Sequence, residues 1–531
     1  MIRGTVPTPE FRAQVLAQNQ VYAPFMEQFP EATMASEPGA VTSTATLTRE
    51  ETRSDSNLTL RSDLNVSSAN RLTGRYTRGR PDRNDPRLTA VNPRVYDGAQ
   101  DFGTFSFTHA ASRWVSETRA GLTRSVINRV DQLYVTGMPN ISVEGLSLSD
   151  GEFFQKRGWL FGLDQVVAMT NGRHSLKAGF NMRHQRAGRS NFQTPGYSYS
   201  SLSDFTANIP SSVQFTFGLD DFQIRASQFG GFIQDDMRLG SNLVLNLGVR
   251  YDYFTIPVER DDRLFNRDDP WGTGPLRPSG EWRKADWNNV SPRVGFAWTP
   301  TSRAVVRGGA GVFVNPDPLF GTTMDLVLNS PDEQFRVTAS RQDALRYGIA
   351  YPMSTDEAAV FLQGPAGLSG AAAANPNRQN ADSMQYSLIV EHELGSTYSV
   401  EAAYVGNISD NLRTVRRINQ PDRLTGIVPY DGFAEFRYHD AANSGRYNSL
   451  QLSLRRRMAN RVSFGASYTL GKGMSYGNGD LQLVSPLQDS YNVEAEWGPT
   501  NWDVRHRLVL NFIYEVPPIG PSAWVRTLVG G

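Results

Sequence analysis

The 531-residue sequence carries 53 basic and 53 acidic residues and no cysteine. Zero net charge offers no basic footprint for nucleic acid, and the lack of thiols excludes disulfide frameworks, cysteine nucleophiles and Cys-ligated zinc or iron–sulfur centres. An apolar content of 39% together with 47 glycines is that of a folded chain, while charged residues, at 20%, fall below the roughly 25% of soluble domains.

No stretch reaches the ~18–20 consecutive apolar residues of a membrane-spanning helix. Met1 to Glu10 has no apolar core of the kind a secretion signal needs. Residues 1–40 show no sustained period and read as an irregular segment leading into a strand-rich region.

From residue 41 to 516 the dominant signal is alternation. In chain order it gives hairpins at 57–67/71–78, 101–109/113–124, 157–169/173–186, 227–239/242–254, 290–299/303–315, 383–394/397–407 and 446–458/461–471, then a lone strand at 502–516. Leu176, Ala178, Phe180 and Met182 stand against Lys177, Gly179, Asn181 and Arg183. Leu243, Leu245, Leu247, Val249, Tyr251 and Tyr253 stand against Asn246, Gly248, Arg250 and Asp252. Such a period of two gives each strand one greasy and one wet face.

Strand length and turn length both bear on the environment. About twelve residues rising ~3.3 Å each and tilted ~40° climb roughly 30 Å, the scale of an outer-membrane barrel wall. Very short turns, such as Asn171-Gly172, Gly240-Ser241 and Gly395-Ser396, alternate with long polar loops near 79–100, 125–156, 187–226, 255–289, 316–382, 408–445 and 472–501. Short turns on one rim and long loops on the other are the outer-membrane arrangement, and soluble sandwiches or propellers do not combine it with strands this long. The predicted fold is all-β: a partial transmembrane antiparallel up-and-down barrel of about 15–16 long strands. Asp235 and Arg456 fall on the apolar faces of their strands. Arg456 lies near a turn, where charge on the lipid side costs little, whereas Asp235 calls for a bulge or a local contact.

Several segments resemble the Oar-like barrel branch of the TonB-dependent receptors of Gram-negative outer membranes. They are Gly231-Phe232-Ile233-Gln234-Asp235-Asp236 running on to Arg250-Tyr251, Ser291-Pro292-Arg293-Val294-Gly295-Phe296-Ala297-Trp298, Arg307-Gly308-Gly309-Ala310-Gly311-Val312-Phe313, Tyr447-Asn448-Ser449-Leu450-Gln451 and Trp502-Asp503-Val504-Arg505-His506-Arg507. The resemblance spans roughly residues 40 to 516 and implies a barrel wall in outer-membrane lipid. It further implies ligand uptake energised by the TonB complex through a plug, and about twenty-two strands in all. This sequence shows no plug, no TonB-contacting segment and no closing strands, so it reads as an internal fragment with 517–531 opening a further hairpin. As a consequence, fifteen strands alone are expected to leave a gap in the wall. A passive porin-like channel or a surface adhesin is the alternative reading.

Chemistry is sparse. Gly473-Met474-Ser475-Tyr476-Gly477 matches a hydrolase string but continues as a glycine-rich loop instead of a helix, so Ser475 is expected to be inert. The histidines at 109, 174, 184, 392, 439 and 506 show no metal-ligand spacing, and His506 is expected to support the wall or its girdle. Asp261, Asp262, Asp268 and Asp269 read as solvated loop charge before they read as a calcium site. No cofactor is implied. The inward polar residues Arg250, Arg293, Arg307, Glu391, Glu401, Arg455 and Arg505 are expected to line a hydrated lumen, chiefly as ion pairs or plug contacts. Trp271, Trp282, Trp287, Tyr197 and Tyr199, in the long loops, are of a type suited to stacking on an unknown ligand.

Overall fold

The computed structural model describes every residue except 89–93, 149–150, 219–220, 268–275, 279, 281, 328, 330–334, 363–368, 431–432, 478–486 and 517–531. Fifteen long strands form one curved antiparallel sheet. They are β1 (Thr52–Asn65), β2 (Asn70–Asp85), β3 (Arg94–Ala110), β4 (Trp114–Asp131), β5 (Glu152–Asn171), β6 (His174–Gln193), β7 (Asp221–Leu239), β8 (Leu243–Phe254), β9 (Val290–Thr301), β10 (Ala304–Asn315), β11 (Ala381–Leu394), β12 (Tyr398–Arg417), β13 (Phe433–Ala459), β14 (Val462–Ser475) and β15 (His506–Tyr514). Each predicted strand is matched by one of these. Most run longer than expected at the long-loop end, because ladder pairing continues after the apolar alternation stops; β6, for example, stays paired to β5 as far as Gln193.

The registers sort the residues into two faces. Starting from Leu388, cross-strand partners on one face are Gly308 and Phe296 on one side and Tyr404, Leu450, Leu470 and His506 on the other. Leu163, Met182, Phe229 and Tyr253 continue the same greasy face elsewhere in the wall. Many of these side chains are more than a third exposed, including Ile233 at 55% and Leu388 at 50%. Large apolar groups turned outward over a whole sheet are stable only against lipid.

Ladder pairing runs unbroken from β1 to β15, but among the described residues β1 pairs only with β2 and β15 only with β14. All residues of both outer strands are exposed. The wall is therefore not closed, as expected of fifteen strands on their own.

The long-loop rim holds more structure than anticipated. Residues 1–40, expected to be irregular, instead carry the strand Ile2–Pro7 and the helix Pro9–Gln18; the strand pairs antiparallel with Thr42–Leu47. Thr8 caps the helix, its Oγ1 accepting from Phe11 N at 3.3 Å, and Pro9 stands where no amide bond is forfeited. Three long loops contribute a five-stranded sheet in the order Phe335–Ser340, Ser212–Phe217, Gly196–Tyr199, Asn140–Val143, Leu146–Leu148. Phe11, Val15, Tyr22 and Phe25 of the N-terminal segment share one apolar core with Ile141, Tyr197, Phe205 and Val337 of the loops. A short polar loop could not bury that much apolar surface; four segments folded together can.

Candidate functional site: the inner wall and its loop-side mouth

Six of the seven candidate residues belong, by register, to the face opposite the lipid band. Arg250 stands across from Phe232 and Ser291, Arg293 from Gly248 and Gly311, and Arg307 from Ala297 and Ile389. Glu391 faces Glu401, which in turn faces Ser453; Arg455 faces Ser399 and Gly465. Arg505 lies one residue before β15 and has no ladder partner that assigns it to a face.

The structure brings some of these residues together. Arg307 Nη2 lies 3.0 Å from Glu391 Oε2 and 3.7 Å from Glu401 Oε2, which makes one cation between two facing carboxylates. Arg250 donates to Asp252 through Nε at 2.7 Å and to Asn181 Oδ1 through Nη2 at 2.7 Å. That network passes over Gly230, where an added Cβ would overlap Arg250, Asn181 and Asp252. Arg293 packs over the Phe313 ring at 4.5 Å and lines two inner-wall grooves of about 450 Å3 each. Lys177, Gln234 and Asn246 line the first groove; Gln385 and Asn407 line the second. Arg505 is 3.6 Å from Asp503. Arg455 is exposed, and no ion pair holds it among the described residues.

The two outliers on the lipid face are both resolved near the short-turn rim. His174 Nδ1 meets Asp235 Oδ2 at 2.6 Å, and Arg456 Nη1 donates to Val462 O at 3.0 Å while lying over Tyr398. His506 stacks beside Tyr468, its Nδ1 2.8 Å from the phenol oxygen, on the lipid side. Ser475 ends β14 and donates to Gly477 O at 2.8 Å; the stretch where an elbow helix would follow, 478–486, lies outside the described residues. Asp261 pairs with its neighbour Arg260; Asp268, Asp269 and Trp271 lie outside the described residues.

The loop aromatics require correction. Tyr197, Tyr199 and Trp282 were expected to be open for stacking, yet all three are buried. Tyr22 Oη donates to Asn208 Oδ1 at 2.9 Å and lies 3.0 Å from Tyr199 Oη, while Tyr197 Oη donates to Met353 O at 2.6 Å. Burial holds all three phenols above the ordinary tyrosine range, and Tyr351, in the same core, is pushed up to about 12. Among the described residues of this set, Trp287 alone is open, at 64%, stacked on Tyr253 with ring centroids 4.3 Å apart.

Around Trp282 the loops build a basic cluster that no local pattern announced. Trp282 donates Nε1–H to Pro257 O at 2.8 Å, and the Arg283 and Arg378 guanidiniums sit 5.5 Å and 5.8 Å from its ring. Arg378 pairs with Asp317 and donates Nη1–H to Thr322 Oγ1 at 2.9 Å. Arg283 Nη1 stands 3.8 Å from the same Asp317 carboxylate, beyond hydrogen-bond length. Burial, together with the like charges of Arg283 and Arg413, holds Arg378 below the ordinary arginine range despite Asp317. Close by, His439 Nε2 lies 2.8 Å from Asp325 Oδ2, and burial pushes the imidazole below its usual value. A cavity of about 260 Å3 opens beside Arg283 and Asp317. Apart from Trp282 and its neighbour Arg283, these partners are 25 to 114 positions apart in segments without shared periodicity.

With the geometry in hand, comparison places the chain. The structure is similar to the outer membrane transporter YddB from Escherichia coli, with a TM-score of 0.55 at 10% identity over 85% of this chain and 52% of that one. It is also similar to the ferripyoverdine receptor of the outer membrane of Pseudomonas aeruginosa, with a TM-score of 0.52 at 10% identity over 90% of this chain and 54% of that one. The chain thus spans about half the length of either structure. No curated protein sequence matches it. The family described as outer membrane beta barrel domain matches residues 4–531, and the lipid-facing band agrees: the chain belongs to that family and resides in the outer membrane of a Gram-negative bacterium.

Proposed function

We propose that the chain is the barrel part of a TonB-dependent receptor that carries a ligand across the outer membrane. The observation that carries this reading is the inner wall. It is lined by glycines (Gly162, Gly179, Gly248, Gly295, Gly309) and by charges paired within the wall, and it belongs to a sheet too broad for its own side chains to fill the lumen. A smooth wall of that kind, with several of its charges paired in place, suits a plug domain seated against it. In this reading the unpaired edges of β1 and β15 receive further strands of the same protein, since bare ladder groups in lipid cost several kcal/mol each, on the order of a lost hydrogen bond without water to replace it. Energy then comes from the inner-membrane TonB complex acting on the plug, and ligand recognition from the loop-side module.

Planar-bilayer recording in KCl of the protein extracted from outer membranes tests this. A plugged receptor stays closed until urea loosens its plug, and conductance then appears. A steady open channel without urea would establish the passive pore instead.

A further inference from the structure

We infer that the cavity beside Arg283 at the loop-side mouth is a binding site for an oxyanion, a phosphate or carboxylate group carried on a small solute. The inference concerns binding only and does not depend on the coupling to TonB. Two guanidiniums, Arg283 and Arg378, with side chains 2% and 1% exposed, face a single carboxylate, Asp317. Asp317 is committed to Arg378, so Arg283 is left with an ion pair too long for a hydrogen bond; its Nε and Nη1 have no hydrogen-bond partner among the described residues. A buried guanidinium with unmet donors is costly, and a counter-charge brought by a ligand would offset that cost.

Surrounding groups support the same reading. Arg413 adds a third positive charge near Arg378 and His439; of the other buried carboxylates close by, Asp325 is held by His439 and Arg437, and Asp286 accepts from the backbone N–H groups of Asn288 and Asn380. Gln185, Ser227, Gln228 and Thr255 bring neutral polar groups to the cavity wall, and Leu319 with Phe254 gives it an apolar side. At about 30 Å3 per water, a space of 260 Å3 exceeds a bare oxyanion and leaves room for the body that carries it. Arginine's planar fork is the side chain that reads such a group through two parallel bonds.

The test is calorimetric titration, with melting curves in parallel, of the protein extracted from outer membranes, using inorganic phosphate and acetate against chloride at matched ionic strength. One or both oxyanions should bind and raise the melting temperature above the chloride control; whichever does identifies the group. Arg283→Gln should weaken that binding about tenfold or more, the scale of a lost charge-assisted bond. Asp317→Asn provides a reading of opposite sign: with the competing carboxylate gone, oxyanion binding should tighten severalfold, an effect that a purely structural ion pair would not produce. Wild-type protein that does not distinguish either oxyanion from chloride would overturn the inference, and so would Asp317→Asn with unchanged affinity.

Discussion

His174 and Asp235 lie on the lipid side of the wall, one on β6 and one on β7, with Nδ1 and Oδ2 2.6 Å apart. The carboxylate's cross-strand neighbours on that face are Leu176 and Leu247, so the imidazole is what makes it tolerable there. Position matters as well, because the pair sits beside the Asn171-Gly172 turn, where charge facing lipid costs about 0–1 kcal/mol against ~2–4 for Arg or Lys at the midplane. We predict that His174→Ala destabilises the barrel by about 1 kcal/mol and that Asp235→Leu in the same background restores it. Urea midpoints of the four members of the cycle in liposomes would show this. Additive single-mutant effects would mean that the contact contributes nothing.

The assignment of faces makes a sharper prediction on β11. Leu388 points to lipid between Gly308 and Tyr404, while Ser387, one residue earlier, points inward between Gly309 and Val405. At the same depth, Leu388→Arg should cost about 2–4 kcal/mol, whereas Ser387→Arg should cost well under half of that. Equal penalties in a liposome unfolding assay would show the faces to be misassigned.

How much of the molecule is legible in its sequence depends on what enforces each feature. Lipid on one side and water on the other impose period two, so every wall strand, and the face of the six candidate residues that lie within strands, could be read from Leu, Val, Phe and Tyr alone. Strand ends could not, because β6 beyond His184 is held by ladder bonds to β5 and β7 that polar residues make as readily as apolar ones. The loop-side module was hidden for a different reason. Its core joins Phe25, Phe205 and Val337, whose proximity is set by the closure of three hairpins and leaves no mark in any local window. Trp282 and Tyr197 looked like open ligand platforms for the same reason.

Acid should loosen the mouth. Burial holds His439 below its ordinary 6.5 despite its bond to Asp325, while Asp325, against its own burial, is held below the usual carboxylate range by His439 and Arg437. Below about pH 6.5 the unfolded chain takes up a proton that folded His439 refuses, so stability falls as pH falls; Asp325 adds loss in the same direction in the carboxylate range. The melting temperature followed by near-ultraviolet circular dichroism should therefore decline from pH 6.5 downward. His439→Asn should flatten the part of that decline above about pH 5. An unchanged slope in the variant would assign the acid sensitivity to other groups.

Phe205 should hold the N-terminal segment to the loops. Its ring lies 4.0 Å from that of Tyr22, 5.1 Å from Tyr199 and 5.9 Å from Phe25, and none of these rings has appreciable solvent contact. Phe205→Ala removes the ring that joins the two segments and should cost about 3–5 kcal/mol, a loss confined to this module because no wall strand belongs to its core. Limited proteolysis should then cut within residues 1–47 much faster than in the wild type, while the heat-modifiable gel shift of the barrel stays unchanged. Protection of 1–47 in the variant would show that the segment is held by its pairing and helix alone. Loss of the gel shift would show that module and wall fold as one unit.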